Sequence, residues 1–477
     1  MKKAFVLATT LLLGSNHSFA LDLSLPDLGD YSSSAVSISD ENRIGDYMLR
    51  QLQGSGQTLN DPALDNYLSE LIYDLAPYAQ LPDPNVHVLV MRSTQLNAFA
   101  IPGGLIGVNA GLLKYVDNQD QLASVLAHEL SHLSLRHYAQ QVTQQEKERP
   151  FWIASMVASA VLGIAAGAQA GGAAISSSMA AQDGHALTYS RMHEEEADRR
   201  GLSVMAAAGF DPEAMPEMLK KLEHDFNSNT TVPEFLLTHP LTQNRVADAE
   251  ARAAQYPQKS DPVDPRFLMM QARANVLANK ASQQILNYYR SRVANLPDNA
   301  GAHYGYALTE LERKEGNNAA SSIKWLETHQ SNDLSVQTLR ARYLEQTGKP
   351  EQGLDVLNTY WGIFPGNLII GTELARMQEE HGHLEDARKT LLQLSQSHPE
   401  VADVWYNLSE VEGRLQHIIA VHESRIQYFM HTASWELAKK QIRYARNARG
   451  LTKEDNDVLD AMDTKVKNWE GWEKSMR

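Results

Sequence analysis

The sequence predicts an α+β domain, mainly helical with a small sheet, followed by an all-α solenoid of paired helices. Three patterns carry this: helical apolar spacing in residues 41–78 and 119–138, strand-like alternation at Val86, Val88 and Val90, and small residues recurring every 34 positions from Ala307. The chain has 477 residues, length for about three ordinary domains.

Lys2 and Lys3, the apolar run Ala4 to Leu13 and the small-residue end Ser18-Phe19-Ala20 form the three regions of a secretory signal peptide, so residues 1–20 are expected to be cleaved after Ala20. The run is too short to span a bilayer. Residues 21–40, with Ser32-Ser33-Ser34, read as an extended lead-in. The chain has no cysteine, which excludes disulfides and thiolate ligands, so any metal must be held by His and carboxylates. A net charge of −15, or −17 without Lys2 and Lys3, argues against a nucleic-acid partner and is read as solubility.

Ile44, Met48 and Leu52, then Leu64, Leu68, Leu71 and Ile72, repeat at helical spacing until Pro82 and Pro84 end the region. Strands follow at Val86–Val90 and Leu105–Val108. Between them, Asn97-Ala98-Phe99-Ala100-Ile101-Pro102-Gly103-Gly104 suits an edge strand and turn, either a bare hairpin or a place where an extended peptide adds itself.

His128-Glu129-Leu130-Ser131-His132 lies on a helix expected from about Gln119 to Tyr138, over a stripe of Leu122, Val125, Leu126, Leu130 and Leu133. Residues four apart share a helix face, so His128 and His132 can bind one metal ion, with Glu129 beside them as general base. Such a metal activates a water whose proton the carboxylate takes. Two histidines leave the site one protein ligand short. Leu135 stands where a glycine would be needed for a third His just beyond the helix, and His137 is badly placed for the same ion. The third ligand is therefore expected from the helix Ser190 to Met205. Glu194 is favoured, with His193 as its rival, and Asp198 four residues on can orient a ligand histidine. Glu195 and Glu196 read as solvated or Arg-paired surface beside Arg199 and Arg200.

Residues 151–182 carry no charge, yet Ala, Gly and Ser dominate their second half. A single crossing would also put the later carboxylates on the wrong side of a membrane from His128. This stretch reads as two short helices or a loop serving as a lid, a membrane-surface contact, a partner site or a packing hairpin. Thr238-His239-Pro240-Leu241-Thr242 precedes another helix, with Pro240 suited to its first turn. His239 can face the metal, either stabilising an oxyanion or filling the open coordination position and holding the site shut; otherwise it is structural. Arg245 can bind developing charge or brace Asp198.

The Asn97–Gly104 stretch, the His-Glu-x-x-His helix and the Glu-x-x-Ala-Asp run Glu194–Asp198 together resemble the HtpX and prenyl-protein peptidase family of zincins, over roughly residues 41–256. The resemblance implies a zincin-type metallopeptidase domain, residues 41–258, with one Zn2+ held by His128, His132 and Glu194 and with Glu129 as base. It also draws His239 and Arg245 toward the site. The chain departs from the family's membrane-spanning members in lacking a clear transmembrane helix, so their substrates do not carry over. Its signal peptide and the residues after it resemble a periplasmic member of that family instead. That likeness implies periplasmic localisation, unfolded or misassembled outer-membrane β-barrel proteins as substrates, and the β-barrel assembly machinery as partner.

Beyond the polar break Lys259 to Pro265, the chain is helical and periodic over residues 266–477. Ala307, Ala341, Ala375 and Ser409 keep a 34-residue beat; Ala319, Gly353 and Ala387 form a second series; Pro297, Ser331, Pro365 and Pro399 a third. Trp405 and Leu408 give the Trp-x-x-Leu opening of a tetratricopeptide repeat, whose paired helices need small residues where they approach. Such an array binds protein segments, which keeps a second function open: a chaperone or adaptor in which proteolysis is minor.

Overall fold

The computed structural model describes residues 36–144, 191–228, 234–257, 259 and 262–476. The expected signal peptide, most of the expected lead-in and the uncharged stretch 151–182 lie outside the described residues. No helix among the described residues is long and apolar enough to cross a membrane.

Helix α1, Ile38–Gly54, starts inside the stretch expected to be extended, because Ser37 and Asp40 form a reciprocal capping box there. Helix α2, Pro62–Ala79, follows an Asp61 cap with proline at its first position. Both bury the apolar residues that their periodicity singles out, Met48, Leu52, Leu64 and Leu68 among them.

The sheet has strands β1 (His87–Met91), β2 (Ala98–Ile101) and β3 (Leu105–Asn109) in the order β1-β3-β2, β1 parallel and β2 antiparallel to β3. Residues 57–59 cover the outer side of β1: the Leu59 amide donates to the Val90 carbonyl and the Arg92 amide to the Gln57 carbonyl. On the other side β2 is an edge. The Asn109 amide donates to the Asn97 carbonyl, and Ala98 and Ala100 lie opposite Val108 and Ile106. By the alternation of an antiparallel ladder, the main-chain groups of Ala98 and Ala100 then point away from β3. Gly103 turns the chain at φ 83°, and a Cβ there would lie 2.3 Å from the Glu41 carbonyl oxygen, so only glycine lets α1 close on the turn.

After α3 (Ala110–Tyr115) comes α4, Gln119–Ser134, capped by Asn118. It ends four residues earlier than the periodicity predicts. Arg136 takes the left-handed conformation (φ 52°), and its side chain bonds to the Val36 carbonyl at 2.7 Å and to Glu41 at 3.2 Å. A new helix, α5 (His137–Gln144), starts from that bend. Then come α6 (Arg191–Ala208), α7 (Ala214–Ser228), α8 (Glu234–Thr238) and α9 (Gln243–Ala253). Pro240 lies between α8 and α9 rather than in a first turn, because Thr242 caps α9.

Helices α10 (Pro265–Ala278) and α11 (Gln283–Asn295) lead into pairs: α12 (Ala300–Glu312) with α13 (Ala320–His329), α14 (Leu334–Gln346) with α15 (Pro350–Ile363), α16 (Leu368–Glu380) with α17 (Leu384–Ser397), and α18 (Ala402–Arg414) with α19 (Ile418–His431). The first helices of these four pairs start 34 residues apart. Ala307, Ala341, Ala375 and Ser409 are all buried, and a Cβ at Gly353 would come within 2.9 Å of the Ala341 carbonyl oxygen, so the two small-residue series meet where helices touch. Helices α20 (Trp435–Arg446) and α21 (Lys453–Met476) end the chain. The main apolar core is continuous from α2 and α4 through α10 to α14.

Candidate metal centre

Helices α4 and α6 pack face to face, and Gly201 allows it: a Cβ there would sit 3.2 Å from the backbone at Ala127 and His128. The contact sets the start of α6 against the His-Glu-x-x-His turn. His128 Nε2 and His132 Nε2 are 3.0 Å apart, and each lies 3.5 Å from a Glu194 carboxylate oxygen. Nδ1 of His128, on its far side, meets Asp198 Oδ1 at 2.9 Å. Arg245 grips Asp198 with two bonds of 2.6 and 2.9 Å and reaches Glu194 Oε2 at 2.9 Å. These contacts are the ones that a brace on Asp198 requires.

His239 arrives from the end of α8. Its Nδ1 is 3.2 Å from both Glu194 oxygens and 3.3 Å from His128 Nε2, and its Nε2 is 3.4 Å from Glu129. His128, His132, Glu194 and His239 form one buried group whose donor atoms lie within 4.8 Å of one another. Glu129 is fully buried beside it; among the described residues its oxygens close no hydrogen bond of regular geometry, and the groups that act on it are His239 and the Ala100 backbone.

The electrostatics suit a cation. Burial opposes a charged His128, yet bonds to Asp198 and Glu194 outweigh it and push the ring up to about 10. Burial, helped by the His128 charge, holds His132 well below the usual histidine range. Burial raises Glu129. It would raise Glu194 as well, but His239 and His128 hold that carboxyl well below its ordinary value. Imidazole nitrogens, a carboxylate and a second buried carboxylate beside them fit a divalent metal.

Residues 62–253 match peptidase family M48. The β-barrel assembly-enhancing protease of Escherichia coli K12 is 30% identical over 82% of this chain and 80% of its own length. The chain belongs to peptidase family M48. A putative β-barrel assembly-enhancing protease of Vibrio cholerae is 29% identical over 87% of this chain and 86% of its own. The mitochondrial metalloendopeptidase OMA1 of Schizosaccharomyces pombe is 29% identical over 39% of this chain and 51% of its own. As an M48 member the chain is a metalloendopeptidase.

In this M48 chain every residue that the motifs nominate for the site comes together: Glu129, His128, His132, Glu194, Asp198, His239 and Arg245. His193, the rival ligand, lies apart, stacked on His137 at 4.3 Å between ring centres. Glu195 pairs with Arg199 at the surface as expected, and Glu196, whose side chain is 45% exposed, also reaches His137 Nε2 at 3.5 Å. His137 in turn touches His132 from behind, Nδ1 to Nδ1 at 2.9 Å. Sequence reasoning missed this contact, although a histidine five residues past a His-Glu-x-x-His turn was a visible signal. Beyond His132, a groove opens between the end of β2 with the turn after it (Ala100, Pro102, Gly103) and Leu133, Arg136 and Tyr138.

Proposed function

We propose that this chain is a periplasmic zinc endopeptidase acting in quality control and assembly of outer-membrane β-barrel proteins, held shut in the described state by His239. The carrying observation is the convergence of His128, His132 and Glu194 next to the fully buried Glu129 carboxylate. Zinc, when bound there, supplies Lewis-acid polarisation of a peptide carbonyl and a more acidic water. His128, His132 and Glu194 hold the ion, while Asp198 and Arg245 fix His128 and Glu194 in place. Glu129, raised by burial, takes the water's proton and passes it to the leaving amine. The outward main-chain groups of Ala98 and Ala100 can bond an extended substrate, and the groove beyond His132 can take a side chain.

His239 lies where a fourth ligand would, so substrate needs it displaced. That placement also favours the second reading, a chaperone or adaptor whose proteolysis is normally off. The helix pairs at 34-residue spacing support a tetratricopeptide-repeat domain that recruits clients or the barrel assembly machinery, in keeping with the names of the E. coli and V. cholerae relatives. The signal peptide supports export.

Purified protein should hold one zinc per chain and lose it in Glu194→Gln. Glu129→Gln should keep the zinc and lower turnover of an unfolded β-barrel polypeptide by about 10²–10⁴-fold; unchanged turnover would leave the adaptor reading standing. His239→Ala should raise turnover at least several-fold, and a loss instead would return His239 to an oxyanion role.

A further inference from the structure

The two imidazoles on α4 are anchored differently. His128 has a carboxylate behind it, Asp198, whereas His132 has another imidazole. The bend at Arg136 makes this possible, because it swings His137 back against the helix it has just left. His137 is fully buried, its ring 4.9 Å from that of His132 at 74° and stacked on His193 at 17°. Its Nδ1 faces His132 Nδ1 at 2.9 Å, and its Nε2 faces Glu196 Oε2 at 3.5 Å. The Glu196 side chain is 45% exposed, so the line runs from the buried cluster to the surface.

Two ring nitrogens 2.9 Å apart require one to donate and the other to accept. His132 directs Nε2 at His128 and Glu194, and a metal there needs that nitrogen's lone pair. The only N–H left to His132 is then Nδ1–H, which donates to His137. His137 accepts at Nδ1, so its own proton sits on Nε2, which lies at ion-pair distance, 3.5 Å, from the Glu196 carboxylate without closing a regular hydrogen bond. We infer that His137 and Glu196 are positioning residues, a two-link relay that fixes the tautomer and ring angle of His132 for the metal. Asp198 does this in one link for His128. The relay rests on the metal reading of the cluster and extends it to two side chains outside the donor group.

The test is metal affinity of the full-length mature chain, measured by competition between zinc and a chromophoric chelator, with kcat and KM read separately. His137→Phe keeps a ring to stack on His193 but has no acceptor, and should weaken zinc binding about 10–100-fold. Glu196→Ala should weaken it in the same direction, and Glu196→Gln, whose amide oxygen still accepts from Nε2–H, should restore it to within a few-fold of wild type. Turnover should fall through kcat at limiting zinc, with KM unchanged. Wild-type zinc affinity in both His137→Phe and Glu196→Ala overturns the relay, as does a Glu196→Gln variant no better than Glu196→Ala. Should His137→Phe not fold, the two half-exposed Glu196 variants decide alone. His132→Ala separates the layers: a wild-type chain that binds no zinc removes the metal reading and the relay together. Binding that His132→Ala abolishes and the relay variants leave intact removes only the relay.

Discussion

At the scale of single residues, the site is built from groups that cannot do their work alone. Glu194 and Asp198 sit four residues apart on one face of α6, and one guanidinium, Arg245, binds both. The planar fork matters, since an ammonium cannot bond two carboxylates from one fixed plane. Arg245→Lys should therefore preserve the charge yet weaken zinc binding about 10-fold, read by chelator competition; an unchanged affinity would show that charge alone suffices. That His128 and His132 share one helix face, and Glu194 and Asp198 another, was legible in the sequence because each pair depends only on spacing within one helix. His137 and Glu196 were not. Continued as a helix, α4 would carry His137 about 140° round from His132, and only the bend at Arg136 turns it back. That bend is held by Glu41, whose carboxyl burial raises and Arg136 lowers, on a helix remote in the sequence.

At the scale of elements, the cluster exists because α6 comes close enough to α4 for a carboxylate on one to meet two imidazoles on the other. Gly201 is the contact that permits this approach. Gly201→Val would press a branched side chain onto the backbone at Ala127 and His128, so the helices must separate or unfold. The expected cost is about 1–3 kcal/mol in a denaturant titration, together with weaker zinc binding. Full stability with intact zinc affinity would mean that the neighbours give way freely. The helices themselves were readable from apolar spacing, and the paired helices beyond residue 300 from their 34-residue beat. The start of α1 and the end of α4 were not, since one is set by a short capping box and the other by a side chain from another element. The edge position of β2 was read from its proline and glycines, but the cover over β1 by residues 57–59 comes from chain topology.

At the scale of the whole molecule, the helix pairs are fastened near both ends to the part that carries the His128–Glu194 cluster, and the start of α18 is bonded to it through Gln53 and Asn60. Near the front, Arg273 of α10 binds Asp61, the cap of α2, with bonds of 2.6 and 2.7 Å and also donates to the Tyr304 hydroxyl. At the end, Trp472 of α21 packs on Tyr47 of α1, and Arg50 of α1 donates to the Met430 carbonyl. With the pairs clamped to that part near both ends, a weakness in them should register in unfolding of the entire described unit. Glu373 offers the handle. It sits on α16 between Arg342 and Arg376, and although burial acts to raise it, the two guanidinium groups hold its carboxyl down at about 2. An unfolded glutamate titrates near 4.5, so the folded state binds this proton more weakly. The resulting stability is fully present above pH 4.5 and is lost as pH falls through about 2. Its size is on the order of 3 kcal/mol. Glu373→Gln, compared with wild type as metal-free protein to keep zinc release out of the measurement, should be less stable by about that amount at pH 7. The gap should narrow steadily below pH 4.5. Denaturant midpoints at stepped pH read it directly, and a gap that is absent at neutral pH, or that stays constant on acidification, would show that this ion pair does not stabilise the fold.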